Sequence, residues 1–201
     1  RKQPDLNWEN PEVREAVYAM MRRWLERGVD GFRMDVINFL SKEVAPDGSL
    51  PDDSTDESTV YTLGGRFFLN GPRIHEFLNE MNREVLAGRD LITVGETPGV
   101  SVADARAYTD PARAEVDMVF TFAHVDLDQA PGGTKWDIIP LRLTDLKSTL
   151  SEWQEGLADV GWNSLYWNNH DQPRVVSRFG DDGAHRVASA KALGTVLHLM
   201  R

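Results

Sequence analysis

The chain contains no cysteine. A disulfide scaffold, a thiolate metal site and a cysteine nucleophile are therefore excluded together. Basic residues are scarce: 22 Lys and Arg stand against 32 Asp and Glu, a formal charge of −10. Phosphate binding needs local Lys and Arg clusters and none occurs, so nucleic acid is not expected as a partner. No run approaches the roughly 18 uninterrupted apolar residues that a membrane span requires, so no membrane partner is expected either. No glycine-rich loop follows a strand-like run, which argues against a nucleotide phosphate site. The opening residues, Arg-Lys-Gln-Pro-Asp-Leu-Asn, carry no signal-peptide pattern, and the expected location is cytoplasmic.

What is present suffices for a folded core. The chain has 201 residues, 41 % of them hydrophobic, with six Trp and eight Phe. That composition excludes intrinsic disorder, and a domain of this length buries roughly 70 % of its extended-chain surface without a staple. Residue 1 is Arg rather than Met, and the last apolar stripe runs into Leu199-Met200-Arg201 with no stop signal. The chain therefore reads as an internal piece of something larger, residues 1–201 forming part of one domain with no second domain.

Four helices follow from apolar spacing. The first has Asn10 as N-cap and Pro11 in its first turn, a stripe of Val13, Val17, Met20, Met21, Trp24 and Leu25, and a stop at Gly28. The second begins near Pro72 and carries Ile74, Phe77, Leu78, Met81 and Val85 before Gly88. The third follows Thr144, with Leu146, Leu150, Trp153 and Leu157 before Gly161. The fourth carries Ala188, Ala192, Val196, Leu197 and Met200. Strand-like runs lie at Val29 to Val36, Leu91 to Glu96, Met118 to Phe122 and Ser164 to Trp167, with a short Ala-rich helix or turn around 102–115. Such alternation predicts βα units and a parallel α/β sheet, either doubly wound or in a (β/α)8 barrel. Residues 46–59 break the pattern with five acids and no base, and read as a solvated loop. Their spacing does not match a calcium loop, and no metal is assigned to them.

In α/β folds the chemistry sits at the carboxyl ends of the strands, and three of the four runs end there in acids. The first reads Gly31-Phe32-Arg33-Met34-Asp35-Val36. Alternation puts Arg33 and Asp35 on one face, with Phe32, Met34 and Val36 on the other. The second, Leu91-Ile92-Thr93-Val94-Gly95-Glu96, ends on a carboxyl group among apolar neighbours. The fourth ends in Asn168-Asn169-His170-Asp171. A buried carboxylate is costly unless paired or used. Arg33 pairs with Asp35 and should keep it ionised, while apolar surroundings should keep Glu96 protonated. One ionised and one protonated carboxyl group, about 5–5.5 Å apart, is the requirement of a retaining glycosidase.

These stretches resemble the α-amylase superfamily, glycoside hydrolase family 13. Gly31–Val36 is similar to its nucleophile strand, Gly95-Glu96 to its acid/base strand, and Asn168-Asn169-His170-Asp171-Gln172 to the strand with its third carboxylate. Gln3-Pro4-Asp5-Leu6-Asn7, Gly161-Trp162-Asn163-Ser164-Leu165-Tyr166-Trp167 and Gln172-Pro173-Arg174-Val175-Val176-Ser177-Arg178-Phe179-Gly180 resemble its oligo-1,6-glucosidase branch. The resemblance implies strands four to seven of a (β/α)8 barrel, about four βα units. It implies Asp35 as nucleophile, Glu96 as general acid/base and Asp171 as transition-state stabiliser. Arg33 would orient the nucleophile, His170 would bond the sugar, and Val36 beside the nucleophile implies a preference for α-1,6 bonds. The implied substrate is a small oligosaccharide and no cofactor is implied for the chemistry. The family's first block, its eighth strand, its C-terminal domain and the early loop where this branch often carries a structural calcium all lie outside the 201 residues.

Two alternatives carry different consequences. Sucrose isomerases and trehalose synthases share the resemblance, but the isomerases typically have an Arg-Leu-Asp-Arg-Asp stretch after the acid/base strand. This chain has His124-Val125-Asp126-Leu127-Asp128 in that region, without either arginine, which favours water as acceptor. Glucosidase-like domains of amino-acid transporter subunits are structural partners that tend to lose carboxylates of the triad. Asp35, Glu96 and Asp171 all stand here, so the enzyme is the expectation.

Overall fold

A computed structural model describes residues 4–51, 64–134 and 136–201. Helix α1 (Pro11–Glu26) starts as the local signals require: the Asn10 side chain accepts the Glu12 N–H at 2.9 Å, with Pro11 in the first turn. Beyond it, Gly28 turns the chain at φ +92°. Strand β1 (Gly31–Met34) follows, then α2 (Ile74–Met81), which runs into a π-turn at Asn82–Leu86. Strand β2 (Ile92–Glu96) leads to α3 (Val102–Thr109), opened by a Ser101/Asp104 capping box. Strand β3 (Met118–Phe120), α4 (Leu143–Gly156), the short α5 (Val175–Phe179) and α6 (Arg186–Leu199) complete the order.

The three strands lie in the order β1-β2-β3, all parallel, with Arg33 opposite Val94, Met34 opposite Gly95 and Glu96 opposite Phe120. Two glycines permit this register. A Cβ on Gly31 would stand 1.9 Å from the Ile92 carbonyl oxygen, and one on Gly95 would stand 2.3 Å from the Ile37 side chain. The main core lies between the sheet and its helices, where Phe77, Leu78, Tyr108 and Val119 are fully buried. Each large apolar side chain so buried contributes about 1.5–3 kcal/mol. A second cluster joins Leu146 and Leu150 of α4 to Trp167 and Val175.

The expected fourth strand, Ser164 to Trp167, does not form. The chain touches the sheet one residue earlier, in a single parallel bridge between Asn163 and Val119. Two hydrogen bonds make it, Val119 N–H to Trp162 O at 3.1 Å and Ser164 N–H to Val119 O at 2.8 Å. Beyond Ser164 side chains draw the backbone off the ladder. The His124 ring takes the Tyr166 carbonyl at 2.5 Å, and the Trp167 indole N–H donates to the Leu193 carbonyl at 2.7 Å. The sheet is therefore three-stranded among the described residues, where four strands were expected.

The stripe on α1 is also split. Met21 and Leu25 are buried together with Tyr18, but Met20 and Trp24 remain 48 % and 46 % exposed. Met20 and Trp24 line, with Phe32 and Met34, an apolar groove of about 470 Å³. Of the acidic stretch 46–59, Asp47 accepts the Ser49 N–H and hydroxyl at 3.0 and 2.7 Å. Residues 52–59 of that stretch, like Gln3 of the opening motif, lie outside the described residues. Among the described residues no helix is long and apolar enough to cross a membrane, and no three His, Asp or Glu side chains converge to hold a metal ion.

Candidate active site

The site begins where β1 stops. Arg33 is on the face opposite Phe32 and Met34, which pack on the core, as strand alternation requires. Its guanidinium spans two acids: one nitrogen donates to Asp35 Oδ1 and the other reaches Glu96 Oε2 at 2.8 Å. Asp35 lies past the strand end and its side chain is 72 % exposed, whereas that of Glu96, at the end of β2, is 7 % exposed. Asp35 and Glu96 are thus held by one guanidinium, near enough that each shifts the other's titration.

Val36 corrects the expectation drawn from the strand pattern. It is not a strand residue packed on the helix layer. It sits in the turn after Asp35 with φ +36° and ψ +46°, half-buried. A β-branched residue in this left-handed region carries strain of order 1–3 kcal/mol. The surroundings impose it: Ile37, next in the chain, is wedged over Gly95, and the Val36 carbonyl accepts the Phe39 N–H at 3.0 Å. Buried Asn38 pins the same turn by donating to the Pro98 carbonyl at 2.9 Å. The result aims the Val36 N–H at Glu96 Oε2, 3.4 Å away.

The two carboxyl groups are pushed in opposite directions. Asp35 is held below the ordinary aspartate range, first by the hydrogen bond from Arg33 and then by that with Glu96, with a smaller contribution from the His170 ring. Glu96 is raised, first by burial and then by its hydrogen bond with Asp35. The reason differs from the one the sequence offered. Glu96 is not surrounded by apolar groups alone; Arg33 opposes the rise, and burial outweighs it. Asp35 keeps its charge to lower pH, and Glu96 keeps its proton to higher pH.

A cleft of about 270 Å³ opens beside Arg33 and Glu96, which line it with Phe120, Tyr166, Asn169 and His170, while Asp35 lies on the side of the apolar groove. His170 therefore meets Arg33 and Glu96 across the cleft. Asp171 pairs with His170, Nε2 to Oδ2 at 3.0 Å, and the two side chains are 56 % and 74 % exposed respectively. Phe120 and Tyr166 were not singled out from the sequence. Their rings meet edge to face at 5.8 Å, and they supply the apolar wall of the cleft. Phe120 was detectable in principle, since it is the last residue of its strand and stands in register with Glu96. The Tyr166 hydroxyl is buried without a hydrogen-bond partner, and burial pushes its pKa upward.

Fold and site together define an α/β protein with an arginine-bridged carboxyl pair at the carboxyl edge of a parallel sheet. The chain belongs to the family described as alpha amylase, catalytic domain, whose model matches residues 1–201. It is 61 % identical over 201 residues to an oligo-1,6-glucosidase of Parageobacillus thermoglucosidasius, covering 100 % of this chain and 35 % of that protein. Among solved structures it is similar to trehalose-6-phosphate hydrolase of Bacillus licheniformis, with 50 % identity and a TM-score of 0.85 over 98 % of this chain and 34 % of that one. It is also similar to a trehalulose synthase of Pseudomonas mesoacidophila MX-45, with 36 % identity and a TM-score of 0.80 over the same shares of the two chains. The chain thus spans about a third of the length of the relatives it matches.

Proposed function

We propose that the polypeptide carrying this chain is a cytoplasmic, cofactor-independent, retaining α-glucosidase acting on short oligosaccharides, with α-1,6 bonds preferred and α-1,4 bonds accepted. The observation that carries the reading is the Arg33 bridge between Asp35 and Glu96, two carboxyl groups biased toward opposite protonation states. Carboxyl groups that share one guanidinium favour the close spacing of retaining enzymes, about 5–5.5 Å, over the wider one of inverting enzymes. In the first step Asp35 attacks the anomeric carbon, while Glu96 gives its proton to the departing oxygen. A glucosyl ester forms on Asp35. In the second step Glu96, now ionised, takes a proton from water, and the water attacks the same carbon. Arg33 orients Asp35, and His170 with Asp171 grips the sugar hydroxyls. Acid, base and nucleophile all come from the two carboxyl groups, so the chemistry requires no cofactor.

In this reading β1, β2, β3 and the segment bridged at Asn163 correspond to strands four to seven of a (β/α)8 barrel, and residues 1–201 form part of one catalytic domain. An all-parallel sheet whose acids gather at its carboxyl edge supports that correspondence. The α-1,6 preference rests on Val36, whose two methyl groups crowd the leaving side and offer it no hydrogen bond. Sucrose isomerisation is the second reading, favoured by the likeness to a trehalulose synthase. Asp126 and Asp128 count against it, because no arginine stands in that stretch. The test is product analysis of the whole polypeptide on isomaltose, maltose, sucrose and trehalose 6-phosphate, with the first-formed anomer read by NMR. Glucose released with α-configuration, fastest from isomaltose, is expected. A β-anomer overturns the mechanism, and isomaltulose or trehalulose from sucrose overturns the hydrolase.

A further inference from the structure

We propose that the buried Arg178–Asp128 ion pair is a positioning device for the loop that carries His170 and Asp171, and that it acts through Gln172. The proposal rests on the reading above only for what that loop does in catalysis. Arg178 and Asp128 are 4 % and 1 % exposed, and among the described ion pairs this one alone is buried on both sides. Every nitrogen of the guanidinium is engaged. Nε donates to Asp128 Oδ2 at 2.9 Å, and Nη2 donates to Asp128 Oδ1 and to the Val125 carbonyl. Nη1 donates to the side-chain oxygen of Gln172 at 3.2 Å. One side chain on α5 thus ties the loop after β3 to the residue that follows Asp171.

The loop needs that tie. The side chains of His170 and Asp171 are 74 % and 56 % exposed. Asn169 closes one side of the turn, its Oδ1 accepting the N–H groups of Asp171 and Gln172 at 2.9 and 3.0 Å. Asn168 accepts the Val175 N–H at 3.2 Å. Gln172 is a further anchor of this turn, and Arg178 holds it. Asp128 is set in turn by its own backbone, whose carbonyl accepts the Ile139 N–H at 2.7 Å. Stability does not account for such a pair, because apolar residues of similar volume commonly do as well or better in its place. Planar, forked geometry does account for it: only a guanidinium engages a carboxylate bidentately and still spares a donor for an amide oxygen.

The experiment compares the whole polypeptide with its Arg178→Met/Asp128→Leu double variant, with Arg178→Lys and with Gln172→Ala. Three quantities are read: amide hydrogen exchange over residues 168–175, the separate kcat and KM for p-nitrophenyl α-glucoside, and Tm. In the double variant the Asp171 and Gln172 amides should exchange about tenfold faster while Tm changes little. The kcat should fall about tenfold with KM nearly unchanged, since displacement of a group by a fraction of an ångström costs rate before it costs binding. Gln172→Ala should lower kcat alone and add nothing in the double-variant background. Arg178→Lys keeps a charge beside Asp128 but loses the fork, so it should loosen the loop in a folded protein even if the double variant does not fold. Native exchange and native kcat in either folded variant overturn the proposal, as does full additivity with Gln172→Ala. Faster loop exchange in the variants of a protein that hydrolyses no α-glucoside overturns the α-glucosidase reading and leaves the positioning role standing.

Discussion

Replacing Arg33 by Met removes the group that both carboxyls share while nearly preserving side-chain volume. A hydrogen bond to a charged group is worth about 1.5–3 kcal/mol. Asp35 is 72 % exposed, so water replaces much of what is lost, leaving about 1 kcal/mol. At 1.36 kcal/mol per pH unit, that raises the acid limb of the kcat/KM profile by roughly 0.5–1 unit. Glu96 is 7 % exposed, and there Arg33 opposes the effect of burial, so its loss lifts the basic limb too. Both limbs therefore move to higher pH. The optimum should also fall about a hundredfold, because an unanchored Asp35 no longer waits at attack distance. The assay is hydrolysis of p-nitrophenyl α-glucoside by the whole polypeptide across the pH range. Arg33→Lys, which keeps the charge and loses the fork, should leave the limbs almost in place while the rate falls. Stationary limbs in Arg33→Met, or limbs moving in opposite directions, would refute the electrostatic argument.

Asp35→Asn removes the nucleophile but little volume, so turnover should drop by orders of magnitude while calorimetry still detects isomaltose binding; substantial residual turnover would reassign the nucleophile. Glu96 binds its proton more tightly in the native state than in the unfolded one, so stability falls as pH rises from the ordinary glutamate pKa through the raised value. Glu96→Gln should accordingly raise Tm more at about pH 8 than at about pH 4, and an equal change at both would refute the burial argument. Val36→Thr should lower the ratio of kcat/KM for isomaltose over maltose by about tenfold, and an unchanged ratio removes Val36 as the determinant.

The helices were legible because their signals are local. Asn10 and Pro11 start α1, Gly28 ends it, and Leu146, Leu150 and Trp153 mark the buried face of α4, all within a turn or two of sequence. Arg33 and Asp35 were legible as a pair for a similar reason, since a two-residue spacing reports which side chains point the same way. The extent of the strands was not legible. The run Ser164 to Trp167 has strand composition, yet the Tyr166 carbonyl goes to His124, a residue more than forty positions away in the chain. Val36 was misread because alternation assumes that the strand continues, and nothing within the hexapeptide shows that Ile37 will fold over Gly95.

By itself the sequence determined which groups are available: no thiol, an acidic balance, and carboxyl groups at the ends of apolar runs. It also determined the parallel α/β class, because helical and extended periods alternate along the chain. Only the tertiary structure decided how those carboxyl groups differ. Arg33 reaches Glu96 because β1 and β2 lie side by side in a register that Gly31 permits, and that contact spans more than sixty residues. Burial of Glu96 and the grip of Arg178 on Asp128, fifty positions away, are likewise properties of neighbours distant in the chain. Protonation state and aim depend on the field and packing at a point in space, and composition along a line does not contain them.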